Sequence, residues 1–284
     1  MHSIMKRHSI LLSFSVLAIL IFNSCKQKTI KTEEKDYNKR CYLTNDTSKG
    51  ALNMDIHVEI PVDFADKMVL DSIRAKLISN LFGDEFIHHS NDSLLLLFTN
   101  SLQADYKENN APLINSLDST STYSFNNEHT LEGFSLLNDK RIYSYGIDRY
   151  VFMGGAHGLN NRNYFNFNLA NGKLITEKDL FVSNYKVLIS DLIKKLIIEE
   201  SRNEKGKDAD PILNLEDTDF WVEAIKPNGN FYITDESINY VFNPYEIAPY
   251  YMGQTEVTIP FQRLKSILKP NSIIQYLVDK KSKN

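Results

Sequence analysis

Residues 231–264 read FYITDESINYVFNPYEIAPYYMGQTEVTIPFQRL, and this stretch decides the fold class. The runs 231–234 and 238–242 are short, apolar and aromatic, with a polar break between them, which predicts an antiparallel hairpin. Residues 255–259 alternate polar and apolar side chains, the period-two mark of a strand with one wet face. Residues 260–268 read as a short helix. Between hairpin and strand stands NPYEIAPYYMG, residues 243–253, where two prolines fix φ and stiffen the connection.

Upstream, residues 185–202 form the clearest helix, with Leu188, Ile189, Leu192, Ile193, Leu196 and Ile197 as its stripe. Thr176 with Asp179 resembles a capping box that starts a helical turn. Asn171-Gly172 predicts a hairpin turn between a strand over 162–170 and a return over 173–175. Residues 121–137 and 140–153 are strand-like, rich in Tyr, Phe, Ile and Leu. Further back, residues 52–60 alternate strictly up to Pro61. Val69, Leu70, Ile73, Leu77, Ile78 and Leu81 recur at helical spacing and stop at Gly83. A second helix is predicted over 94–107. Several connections are too short for parallel crossovers. The expected class is therefore α+β: a mainly antiparallel sheet with helices packed on one side, in two closely associated subdomains.

The N-terminus has a different character. Lys6 and Arg7 precede an almost wholly apolar run over 9–22, followed by Asn23-Ser24-Cys25. A basic start, a short apolar run and a small residue before the cut make a secretory signal. The run is shorter than the roughly 20 residues that span a bilayer. Ser24-Cys25 resembles a bacterial lipobox, so Cys25 is the expected lipidation site and residues 1–24 the signal peptide. The alternative is an ordinary cleaved signal with an incidental cysteine. With Cys25 acylated, Cys41 is the only thiol left of two, and no internal disulfide can form. Residues 25–50 are polar and lack apolar periodicity, which predicts a flexible tether. The expected organisation continues with an N-terminal α+β domain over 51–137 and a C-terminal α+β domain over 138–284.

Composition narrows the function. A hydrophobic share of 42% supports a packed core without other staples. The net charge of −4 offers no broad basic surface, so nucleic acid is not an expected partner.

Three segments taken together carry a family resemblance: Met153-Gly154-Gly155-Ala156-His157-Gly158, FNLANGKLITEKDLF over 167–181, and the stretch over 231–264. In this order they resemble the extracytoplasmic domain of a lysozyme-sensing anti-sigma factor. They also resemble the non-catalytic extracellular region of peptidoglycan deacetylases. Residues 52–137 look like the companion domain that precedes it. The resemblance implies a recognition module bearing on lysozyme-like proteins or peptidoglycan. The sigma-binding and membrane-spanning parts of the one, and the metal-dependent catalytic domain of the other, are not read here. The seven histidines include no His-x-x-x-His pair.

Two loops hold the candidate ligand contacts. Gly154, Gly155 and Gly158 let the backbone around His157 turn sharply and approach other atoms. His157 reads either as a ligand contact or acid/base group, or as part of a structural turn bonded to backbone. No nucleophile or carboxylate accompanies it in sequence. In the second loop, Tyr245, Glu246, Pro249, Tyr250 and Tyr251 offer amphipathic area on a stiff connection. The alternative there is packing against the sheet. Trp221, on an expected amphipathic helix, is expected to pack in the core, the alternative being to stack on a sugar. Scattered histidines give no expected metal site, and no cofactor is expected. The reading is a membrane-anchored envelope lipoprotein on the periplasmic side or outer surface, recognising a lysozyme-like protein or peptidoglycan without catalysis. The alternative is a cell-wall hydrolase with His157 as acid/base.

Overall fold

The computed structural model describes residues 29–114, 116, 124–204 and 214–281; Cys25 and the expected signal peptide over 1–24 lie outside the described residues. Two sheets form the frame. The larger has six strands in sequence order, β1 (Lys31–Tyr42), β2 (Ala51–Asp63), β3 (Asn127–Asn138), β4 (Ile142–Phe152), β5 (Leu159–Asn168) and β6 (Lys173–Leu174). Its pairings are antiparallel except β2 with β3, which run parallel. That parallel step needs a long crossover, and the chain uses it for α1 (Lys67–Leu81) and α2 (Asn91–Asn110). After β6 come α3 (Glu177–Leu180) and α4 (Tyr185–Glu204). The smaller sheet, β7 (Phe231–Ile233), β8 (Ser237–Phe242) and β9 (Thr255–Pro260), is antiparallel throughout. Two short helices follow, α5 (Phe261–Leu264) and α6 (Gln275–Lys281).

The predicted periodicities find their cores. Every residue of the α1 stripe is buried, against inward residues of the large sheet such as Ile56, Val58 and Leu131. Asp66 caps α1 by accepting from Met68 and Val69 N–H. On α4, Ile189, Ile193 and Ile197 are buried against the small sheet, Leu192 and Leu196 are partly covered, and Leu188 turns outward. The capping box forms: Asp179 Oδ2 accepts from Thr176 N at 2.8 Å and Thr176 Oγ1 at 2.7 Å.

Asparagine side chains join the two sheets. The outer edge of β5 has no partner strand along residues 159–166, so its backbone groups need others. Asn243 Oδ1 accepts from Arg162 N at 2.7 Å, and Asn230 Oδ1 from Tyr164 N at 3.0 Å. Buried Asn166 gives Nδ2 to Phe231 O at 2.7 Å and takes Ile233 N at 3.0 Å. These amides stand in for ladder bonds, which binds the small sheet to the large one's edge.

Three readings need correction. Residues 31–42 are not a flexible tether but the twelve-residue edge strand β1, paired along β2. None of its side chains is buried, so no apolar alternation marks it, and backbone pairing holds it in place. The large sheet also runs through the expected domain boundary at 137/138, because β3 and β4 pair across it. Pro61 does not end β2, which continues to Asp63. Pro61 can stand near the strand's end, where the shift in the β1–β2 register falls.

Candidate functional site

The loop after β4 and the loop between β8 and β9 meet on the surface. β4 ends at Phe152, and the glycine loop begins. Gly154 adopts φ +85, a region that favours glycine. It is buried, and its carbonyl accepts from Ser124 N at 2.9 Å. Gly155 and His157 are exposed, while Gly158 is buried. A Cβ at Gly158 would lie 2.4 Å from the Tyr150 ring, whereas one at Gly155 would meet nothing within 4 Å. Gly158 is therefore required by close approach and Gly155 is not.

Tyr250 joins the two loops. Its hydroxyl donates to Gly158 O at 2.7 Å. His157 stacks on its ring with centroids 4.0 Å apart and planes at 22°. His157 Nδ1 lies 3.1 Å from the same Gly158 carbonyl. A carbonyl only accepts, so Nδ1 carries the proton there, and in the neutral ring Nε2 is left as the acceptor. Tyr245 adds a third ring, its centroid 5.6 Å from that of Tyr250. Tyr245 holds φ +70, a strained value for a non-glycine residue, while 52% exposed. Strain of this kind costs about 1–3 kcal/mol and survives only where surroundings enforce it. Pro249 is partly covered and precedes the helical turn Tyr250–Met252.

Two neighbours extend the surface. Tyr251 is 71% exposed, and its hydroxyl donates to Asp219. That bond raises its phenol pKa. Trp221, expected in the core, is instead 45% exposed; it sits ahead of a 3-10 turn rather than on a long helix. Its backbone N–H donates to Ile247 O at 2.7 Å, which ties it to the tyrosine loop. Partial burial raises the Tyr150 phenol pKa, and Glu128 and Tyr250 nearby add to the shift. Glu246 is exposed but engaged, accepting from Asn228 Nδ2 at 2.8 Å.

The sequence-level candidates therefore converge. His157 and Gly158 of the glycine loop meet Tyr250 directly, Tyr245 packs beside Tyr250, and Gly154, Gly155, Glu246, Pro249 and Tyr251 belong to the same two loops. Tyr150, whose ring packs against Gly158, was missed as a member, and Trp221, tied to the tyrosine loop through its backbone, was expected in the core. Trp221 sits in a helix-like pattern that the chain does not fold as one, and Tyr150 reads as an ordinary strand aromatic.

The chemistry of this surface is that of contact. No carboxylate or nucleophile among the described residues bonds to His157. Among the described residues, no group of three His, Cys, Asp or Glu is placed to hold a metal, and no helix is long and apolar enough to cross a membrane.

An α+β frame presenting two convergent loops is the class this geometry defines. Residues 178–262 match the family described as a protein of unknown function, DUF3298. That match spans the tyrosine loop and stops short of the glycine loop. The chain is 30% identical over 168 residues to the peptidoglycan-N-acetylmuramic acid deacetylase PdaC of Bacillus subtilis, covering 55% of this chain and 33% of that protein. It is 34% identical over 125 residues to the anti-sigma-V factor RsiV of the same organism, covering 43% of this chain and 42% of that protein. The chain thus spans less than half the length of either relative. These matches bear out the resemblance read from the three segments. A crystal structure of a DUF3298 family member from Bacteroides fragilis superposes with TM-score 0.77 at 25% identity, over 89% of this chain and 99% of that one. A DUF3298 family protein from Pseudomonas aeruginosa shares the fold with TM-score 0.51 at 18% identity, over 85% of this chain and 95% of that one.

Proposed function

We propose that this chain is a non-catalytic recognition module of the cell envelope, held to a membrane by lipid on Cys25. Its partner is a lysozyme-like protein or peptidoglycan, engaged through the surface where the two loops meet. One observation carries the reading: His157 stacks on Tyr250 of a loop far away in sequence, with Tyr245 tilted beside it, at a partly exposed surface. Rigid aromatic side chains lose little entropy on binding and dominate recognition surfaces. The strained backbone of exposed Tyr245 supports the same reading. The similar proteins, a peptidoglycan-N-acetylmuramic acid deacetylase and an anti-sigma factor, support the envelope theme of this reading.

Calorimetric titration of the full chain against a lysozyme and against soluble muropeptides tests the partner. Saturable binding to one of them, weakened at least tenfold by Tyr250→Ala, is the expected result. Absence of binding to both overturns it. For the anchor, Cys25→Ala should abolish palmitate labelling and release the protein from membranes. Continued labelling of that variant overturns acylation at Cys25.

A further inference from the structure

Beside α2, at the end of the large sheet where β4 runs into the glycine loop, lies a cavity of about 570 Å³. Its walls are mainly apolar, including Leu52 of β2, Leu102 and Tyr106 of α2, and Val151 and Phe152 of β4. This volume lies within the range of small-molecule sites, which combine apolar walls with a few placed polar groups.

The lining also carries Asp105, Asn109 and Asn110 of α2 and Glu128 of β3, and the two polar side chains buried on its sheet side are Asn127 and His129. They alternate inward from β3, at 8% and 9% exposure. Asn127 Oδ1 and His129 Nε2 are buried with no hydrogen-bond partner. Buried polar atoms are almost always paired, so two orphans on one wall are an unmet demand. Two residues apart on a strand, their Cα atoms are separated by about 7 Å.

Charge sets the ligand class. Burial, with Arg149 nearby, holds the His129 pKa down to about 4, so the ring is neutral in an envelope near neutral pH. A neutral imidazole nitrogen pairs with a donor or an acceptor according to tautomer, and Asn127 Oδ1 only accepts. Arg149 does not line the cavity, and its Nη2 donates to the carbonyls of Asn80 and Leu81. Asp105 and Glu128, both exposed, border the cavity and disfavour an anion.

We propose that this cavity binds an uncharged amphiphile, whose hydroxyl or amide head donates to Asn127 Oδ1 and pairs with His129 Nε2 while its apolar body lies along α2 and β4. The site is distinct from the loop surface, although Met153 borders both.

Octanamide and octanoate distinguish the idea, because they share a chain and differ in head-group charge. The full chain is titrated with each and its thermal midpoint recorded. Octanamide at about ten times its Kd should raise the midpoint by about 3 °C, and octanoate should not raise it. Leu102→Trp fills the cavity and should abolish the shift. Should that variant fail to fold, Asn127→Leu serves: it removes the orphan acceptor, should fold at least as stably, and should bind octanamide at least tenfold more weakly. Equal shifts with both compounds, no shift with octanamide, or unchanged affinity in Asn127→Leu overturns the proposal. So does a crystal grown with octanamide that shows only water on Asn127 and His129.

Discussion

The loop surface and the α2–β3 cavity treat their polar atoms in opposite ways. At the surface, Tyr250, Tyr251 and Glu246 are each already bonded within the protein, and the rings face outward. In the cavity, Asn127 and His129 point inward with atoms left unpaired. A surface whose polar groups are mostly satisfied, with His157 Nε2 left to accept, offers chiefly shape and apolar area to a large partner. A cavity with unmet hydrogen bonds selects a small ligand by its head group. Met153 touches both features, lining the cavity and leading into Gly154. The proximity of the two sites follows from chain order, while their chemistries differ because of burial.

Acid should break the comparison first, through the cavity. His129 titrates near pH 4 when folded, against about 6.5 when unfolded. Between those values the unfolded chain holds a proton that the folded chain does not. Stability therefore rises with pH across this window, and about 3 kcal/mol of it is lost as pH falls from 7.5 to 4. Urea unfolding of the protein and of His129→Gln should show the variant's profile flattened by that amount between pH 4 and 6.5.

The surface should respond next, and in binding more than in stability. Tyr250→Ala should cost about 2 kcal/mol or more of partner affinity, as a central aromatic anchor does. Tyr250→Phe removes only the bond to Gly158 O and should cost about 1 kcal/mol of folding stability by denaturant titration. If Tyr250→Ala leaves affinity unchanged, the surface is merely packing.

A paired substitution sharpens the reading of the glycine loop. Gly158→Ala drives a methyl into the Tyr150 ring, and should destabilise by about 1–3 kcal/mol. Gly155→Ala projects into open space, and should change stability by less than about 0.5 kcal/mol. Tyr245→Asn should relieve strain, since asparagine tolerates positive φ. Denaturant titration should show a folding free energy raised by up to about 1 kcal/mol, while partner binding weakens.

Much of the fold was legible because apolar period reports burial directly. The α1 stripe, the 171–172 turn, the capping box and the three strands of the small sheet all appear where residue spacing put them. Strand β1 was not legible: an edge strand wet on both faces leaves no pattern, and its pairing is made by backbone atoms common to every residue. Trp221 was misread for the reverse reason. Its neighbours have helical spacing, but the chain turns there and leaves the ring outside.

The candidate site divides along the same line. Sequence determined which residues could form a contact surface, since glycine and proline restrict the backbone locally and tyrosine carries its amphipathic ring anywhere. Only tertiary structure decided that His157 lies on Tyr250, that Gly158 must accommodate Tyr150, and that Asn127 and His129 share a cavity wall. Those facts depend on β5 being joined edge-on to the small sheet and on α2 crossing over β3. Such long-range closures are fixed by the packing of the whole chain, and no local window of residues encodes them.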